Sequence, residues 1–156
     1  MISVQEVHDG LARSPKELHH GFCYGGDSGT IFDAVCHHPD YYLYRSDIYN
    51  VDQAAKEAAK ITGDEGVLVE FGCATCEKAI PLIETVKVPT FVGVDINESV
   101  LKIGEANIKK QYPEKTVLAQ KADFFAPFKL PATGNPTIGI LAGGMMHAFP
   151  VDCEQM

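Results

Sequence analysis

Tryptophan is absent from this sequence, basic residues are few, and no apolar run is long. Each lack removes a class of function. Against 21 acidic side chains stand only 13 basic ones, a formal net charge of −8. Nucleic acid and anionic lipid both demand clustered Lys and Arg, so neither is an expected partner. A membrane span takes roughly 20 consecutive apolar residues, and no window approaches that. The opening residues, MISVQEVHDG, have neither a basic start nor an apolar stretch, so no secretory signal is legible. The five cysteines are odd in number and scattered, which does not make a disulfide framework. A reducing cytoplasm is the expected setting. What is present suits one soluble domain with a core: 156 residues, 46% hydrophobic and 22% charged.

The chain changes character near residue 63. Before it the patterning is helical. Ser3 with Glu6 forms a capping-box pattern, Val4, Val7 and Leu11 share a helical face, and Pro15 ends that helix. Residues 19–29 are Gly-rich and read as a loop. A helix is expected from about Thr30 to His37, stopped by Pro39. Another is expected with Asp47 as its cap and Gly63 as its stop. After residue 64 strands and helices alternate. Apolar runs at 67–71, 91–95, 116–119 and 136–141 read as strands. A helical segment follows Gly72 to about Val86, with Pro81 implying a kink or a late start. Asn97 caps a further helix to about Tyr112. Alternation of this kind implies parallel pairing, hence an α/β, Rossmann-like sheet. The expected organisation is a helical, substrate-side segment over 1–63 and a partial cofactor-binding domain over 64–156.

Three strand ends carry the chemistry. In open α/β sheets a ligand sits beyond the carboxyl ends of the strands. Gly72 ends the first strand, and without a Cβ its backbone can come close to a ligand. Asp95 ends the second, 23 residues later, a spacing that suits an acid on ribose hydroxyls. Asp123 follows the third beside Phe124, a carboxylate and a ring that suit an adenine. The plain alternative is that both aspartates cap turns. Nicotinamide and flavin dinucleotides need G-x-G-x-x-G to cradle a pyrophosphate. The loop Gly72-Cys73-Ala74-Thr75-Cys76-Glu77-Lys78 offers one glycine, which favours S-adenosylmethionine, a cofactor without a pyrophosphate.

Several stretches together resemble the histidine-specific methyltransferase family of ergothioneine synthesis. Pro15-Lys16-Glu17-Leu18 is similar to its P-K-x-L, and Phe22-Cys23-Tyr24 through Ile31-Phe32-Asp33 to its F-Y-D before L-F-D. The run Pro39-Asp40-Tyr41-Tyr42-Leu43-Tyr44-Arg45-Ser46-Asp47 is similar to P-E-Y-Y-P-T-R-x-E. Leu68 through Lys78 resembles L-V-E-L-G-S-G-T-S-x-K, and Ala122-Asp123-Phe124 resembles G-D-F. The likeness runs from about Val7 to Pro150. It implies a class I methyltransferase that uses S-adenosyl-L-methionine to alkylate the amino group of histidine or a related amino acid. On that likeness Gly72, Lys78, Asp95, Asp123 and Phe124 hold the cofactor. Tyr24, Phe32, Tyr41, Tyr42 and His147 line the substrate side. No catalytic base is assignable.

The sequence departs from the family at three places. The acid after the tyrosine of F-Y-D is Gly25, and the second glycine of the cofactor loop is Ala74. The asparagine expected after the fourth strand aligns with Ala148, which implies another substrate or none. Four strands are legible where the family type has about seven. The sequence therefore implies a fragment, a truncated product or a chain completed by a second copy through an open sheet edge. The competing function is a catalytically silent cofactor-binding or interaction module.

Other candidates have plainer explanations. Cys73-x-x-Cys76 follows a strand as a thioredoxin-like motif would, but it also occupies small-residue positions of the cofactor loop. No further ligands stand at zinc-site spacing, so no metal is expected. His19-His20 and His37-His38 read as surface histidines, and His147 is expected to serve packing or to orient substrate. Tyr41-Tyr42-Leu43-Tyr44 is open between a core plug and a pocket wall.

Overall fold

Four short apolar runs pair side by side into one parallel sheet, and a helix returns the chain after each of the first two. The computed structural model describes residues 3–18, 27–62, 66–123, 126–132 and 136–148. Three helices come first: α1 (Val4–Ala12), α2 (Ser28–Cys36) and α3 (Tyr42–Thr62). Then follow β1 (Val67–Phe71), α4 (Ala79–Val86), β2 (Thr90–Asp95), α5 (Glu98–Gln111), β3 (Thr116–Lys121) and β4 (Thr137–Leu141). A 3-10 turn over Gly143–Ala148 follows β4. The spatial order is β3-β2-β1-β4. Val67, Val69 and Phe71 of β1 stand opposite Thr90, Val92 and Val94 of β2 and opposite Thr137, Gly139 and Leu141 of β4. This is the expected α/β, Rossmann-like architecture.

β1 is central, so both of its faces are covered and its residues are apolar almost throughout. Leu68 points into the larger core, with Val51, Ala55, Leu82, Ile83, Phe91 and Ile108. Val67 and Val69 point the other way, with Val92, Val94 and Ala122. α4 shows the logic of the first face. Ala79, Leu82, Ile83 and Val86 recur at helical spacing and all four are buried. Each large aliphatic side chain so removed from water stabilises by roughly 1.5–3 kcal/mol before chain entropy is counted. Val51 and Ala55 bring α3 into the same cluster.

The local signals hold where they are strongest. Ser3 accepts from the Glu6 N–H at 3.1 Å while Glu6 accepts from the Ser3 N–H at 2.6 Å, a complete capping box. The face that Val4 begins is not covered, however, and Val4 is 88% exposed. Asn97 caps α5 through the Ser99 N–H at 3.0 Å. Pro81 is the third residue of α4, inside the first turn, where its missing N–H costs no intrahelical bond. The late start therefore accommodates it. One expectation is corrected. Asp47 does not cap α3, which already begins at Tyr42. Its carboxylate is used for distant partners described below.

Among the described residues no helix is long and apolar enough to cross a membrane.

Candidate functional site

The strand order places a switch point between β1 and β4, because the chain moves outward from β1 through β2 to β3 and then returns to the other side. Crevices at such points, beyond the carboxyl ends of the strands, are where this architecture takes its ligands. Gly72 stands there at φ +71, a backbone state that favours glycine, and its N–H donates to the Val94 carbonyl at 2.8 Å. A Cβ at Gly72 would lie 2.8 Å from Cγ and Sδ of Met145, so the Met145 side chain lies over the spot that the glycine leaves open.

The following loop keeps a glycine-type backbone with few glycines. Ala74 sits at φ +46 and Cys76 at φ +61. The departure at Ala74 is therefore one of side chain only: the turn still takes the left-handed shape, at a cost of about 1–2 kcal/mol for a non-glycine residue. The shape aims the Ala74 N–H at Asp95, which it meets at 3.0 Å from Oδ2. Oδ1 of Asp95 accepts from the Asn97 N–H at 2.9 Å. Burial pushes the Asp95 carboxyl above its ordinary range, and the backbone N–H groups of Asn97, Ala74 and Ile96 pull it back. Asp95 thus ties the β1 loop to the end of β2. Three backbone donors on two oxygens leave a lone pair for a further donor.

Behind the loop, Glu70 is the one buried charged side chain among the described residues, 1% exposed. Its Oε2 has no hydrogen-bond partner among them. Burial raises its pKa from the ordinary 4.5 to about 8; Lys78 opposes this while Asp47 and Asp95 add to it. Lys78 closes the group from the residue before α4, with Nζ 2.9 Å from Asp47 Oδ2. Gly143, at φ +70 after β4, donates its N–H to Asp47 Oδ1 at 3.0 Å. Alongside, Tyr44 donates to Glu77 at 2.6 Å, and His37 Nε2 lies 3.4 Å from the same carboxylate. Burial first, then the Glu77 bond, pushes the Tyr44 phenol well up. The Asp33 carbonyl first, then Glu77, raises the His37 imidazole. Asp33, His37 and Glu77 bring ligand-type atoms within 4.8 Å of one another, a grouping that no sequence spacing announced.

Of the residues singled out in sequence, Gly72, Lys78 and Asp95 come together at the switch point. Asp123 follows β3 and is exposed; Phe124 and Tyr24 lie outside the described residues. Phe32 is 52% exposed and meets Tyr41 edge to face at 6.5 Å. Tyr42 is 64% exposed and Leu43 52%, while Tyr44 turns its hydroxyl inward, so this stretch is not a core plug. His147 belongs to the 3-10 turn after β4, and its side chain lies outside the described residues. The thiols of Cys73 and Cys76 are buried, 4% and 2% exposed, in hollows left by Gly93 and Gly104. A bond to Cys76, then burial, pushes the Cys73 thiol far up. Packing, not redox chemistry, accounts for both. Glu70, Asp47 and Met145 were missed. The available signal was a glutamate inside an apolar strand, where a charge is expensive.

The donors fit a cofactor of mixed charge. An orphaned buried carboxylate oxygen at Glu70 suits a cationic or N–H donor, Lys78 suits a carboxylate, and Asp95 suits hydroxyls. A parallel sheet of this order, with a tight glycine turn after β1 and an acid ending β2, defines a Rossmann-like cofactor-binding domain. The family described as "Histidine-specific methyltransferase, SAM-dependent" matches residues 3–153. The chain belongs to that family. It is 26% identical over 151 residues to the histidine N-alpha-methyltransferase of Mycolicibacterium smegmatis, covering 94% of this chain and 47% of that protein. It is 27% identical over 124 residues to the histidine N-alpha-methyltransferase of Mycobacterium tuberculosis, covering 77% of this chain and 38% of that protein. The chain thus spans at most about half the length of these relatives. A solved structure with a partial likeness is the geranyl diphosphate C-methyltransferase of Streptomyces coelicolor in complex with S-adenosyl-L-homocysteine. There the identity is 15%, with 60% of this chain and 38% of that one covered at a TM-score of 0.37.

Proposed function

We propose that this chain binds S-adenosylmethionine at the carboxyl ends of β1, β2 and β4 and forms the cofactor half of an N-methyltransferase. Its substrate is the amino group of histidine or a related amino acid. The observation that carries the reading is the convergence of Gly72, Lys78 and Asp95 around a buried glutamate whose Oε2 has no partner among the described residues. When bound, the cofactor supplies an electrophilic methyl group on a sulfonium. Asp95 offers lone pairs to ribose hydroxyls, Lys78 an ammonium to a carboxylate, and Glu70 a buried carboxyl whose ionisation an ammonium or sulfonium beside it would favour. Asp123 and Phe124 serve the adenine. Tyr24, Phe32, Tyr41, Tyr42 and His147 belong to the substrate side, with residues 1–63 as the substrate-facing segment and 64–156 as the cofactor domain. Alignment and desolvation are the main contributions such a transfer needs.

A cytoplasmic setting agrees with unpaired thiols at Cys36, Cys73 and Cys76. Self-association is the expected assembly. The edge of β3 is bordered by the segment that carries Lys129, whose carbonyl accepts from Gln120 at 2.7 Å. β4 is the other edge and is the strand through which two copies would pair. A second reading, a cofactor-binding module without activity, is supported by Ala148 at the place of the family's asparagine.

Calorimetric titration with S-adenosylmethionine, with NADH as control, tests the cofactor. Binding of the former alone, lost in Asp95→Ala, is the expected result; no binding refutes both readings. A methyl-transfer screen beginning with histidine then separates them.

A further inference from the structure

Two loops flank the switch point, and one carboxylate joins them. Asp47 accepts from Lys78 Nζ through Oδ2 at 2.9 Å and from the Gly143 N–H through Oδ1 at 3.0 Å. The partners lie 31 and 96 residues away, on the loops after β1 and β4. Nothing local to α3 requires these bonds. The ion pair is also withdrawn from water, with side chains 19% and 22% exposed, unlike the surface pairs whose worth solvent erases.

Both partners are shaped for this contact. A Cβ on Gly143 would stand 2.6 Å from Lys78 Nζ and 3.1 Å from Asp47 Oδ2, so a side chain there would displace the ammonium from this place. Tyr44, one turn earlier on α3, holds Glu77 at 2.6 Å. Positions 44 and 47 lie on one helical face. They therefore grip the adjacent residues 77 and 78 and set the angle at which Lys78 leaves the loop. An ammonium has three donors, and Asp47 accepts one.

We propose that Asp47 is a positioning residue of the cofactor site, fixing the Lys78 ammonium against Gly143 so that its remaining donors are preset for the cofactor's carboxylate. This rests on the S-adenosylmethionine reading and adds a residue to it. Asp47 acts through Lys78 and does not touch the cofactor.

The test is a double-mutant cycle on S-adenosylhomocysteine affinity with Asp47→Asn, Lys78→Met and the pair, measured by calorimetry. Hydrogen exchange at the Gly143 amide is followed in the unliganded chain. Asp47→Asn keeps the shape and the Oδ1 acceptor but loses the charge. It should weaken binding by about tenfold while Gly143 stays protected. Asp47→Ala should lose both affinity and protection. In the Lys78→Met background Asp47→Asn should have no further effect, which a merely structural role would not produce. Additive effects, or an Asp47→Asn chain that binds as tightly as the original, would overturn the proposal. An unprotected Gly143 in the unliganded chain overturns the clamp whether or not the cofactor binds. If the unaltered chain binds no S-adenosylhomocysteine, the cofactor reading falls and the positioning role with it.

Discussion

Replacing Glu70 with glutamine removes a charge from a place that solvent barely reaches. The side chain is 1% exposed, and its carboxyl is raised from 4.5 to about 8, chiefly by burial. In the unfolded chain the same carboxyl ionises at its ordinary value. The folded state therefore binds the extra proton between these limits, and stability falls as pH rises through that window. One pKa step is worth 1.36 kcal/mol. At pH 7 the ionisable glutamate costs the fold roughly 3 kcal/mol, rising toward roughly 5 kcal/mol above pH 8. Below pH 4.5 the cost is absent, because both states are protonated. Glu70→Gln should therefore stabilise the chain at pH 7 by up to about 3 kcal/mol, which for a domain of this size raises Tm by roughly 6–12 °C. Any packing difference between carboxyl and amide does not vary with pH and cancels in the comparison. Urea unfolding of both chains at pH 4.5, 7 and 8.5 is the assay. A stability difference that stays flat across these values would refute the argument, as would one that shrinks as pH rises.

Three further outcomes follow from particular contacts. Ala74→Gly should stabilise the chain by roughly 0.5–1 kcal/mol, the left-handed penalty less the extra entropy of glycine; a lowered urea midpoint would contradict it. Leu82, fully buried in α4, should cost about 2–5 kcal/mol when cut to alanine, with loss of cooperative melting as the sign that the core has failed. Native Cys73 and Cys76 should resist a thiol reagent at pH 8 and react only in urea, because both thiols are buried out of a reagent's reach and the charged form of Cys73 is disfavoured there. Rapid labelling of the folded chain would restore the redox reading.

Short-range physics made much of this protein legible from sequence alone. The capping box at Ser3, the Asn97 cap, the apolar strands and the late helix start at Pro81 depend on neighbours within a turn or two, so their residues suffice to specify them. That Gly72 and Asp95 stand at the same end of neighbouring strands was legible too, because parallel strands separated by helices align their carboxyl ends. Other features depended on which distant segments meet. Asp47 reads as a helix cap until the loops after β1 and β4 are seen to converge on it. Val4, Val7 and Leu11 form an apolar face by spacing, yet whether such a face is covered is decided by what packs there, and Val4 stays in solvent. Cys73 and Cys76 present a reactive motif that the hollows at Gly93 and Gly104 turn into core. The sequence by itself determined the elements, the family and the strand ends at which the site is proposed. Only the tertiary structure decided which charges face one another, because burial and long-range partners, and not residue type, set the free energy of a charge.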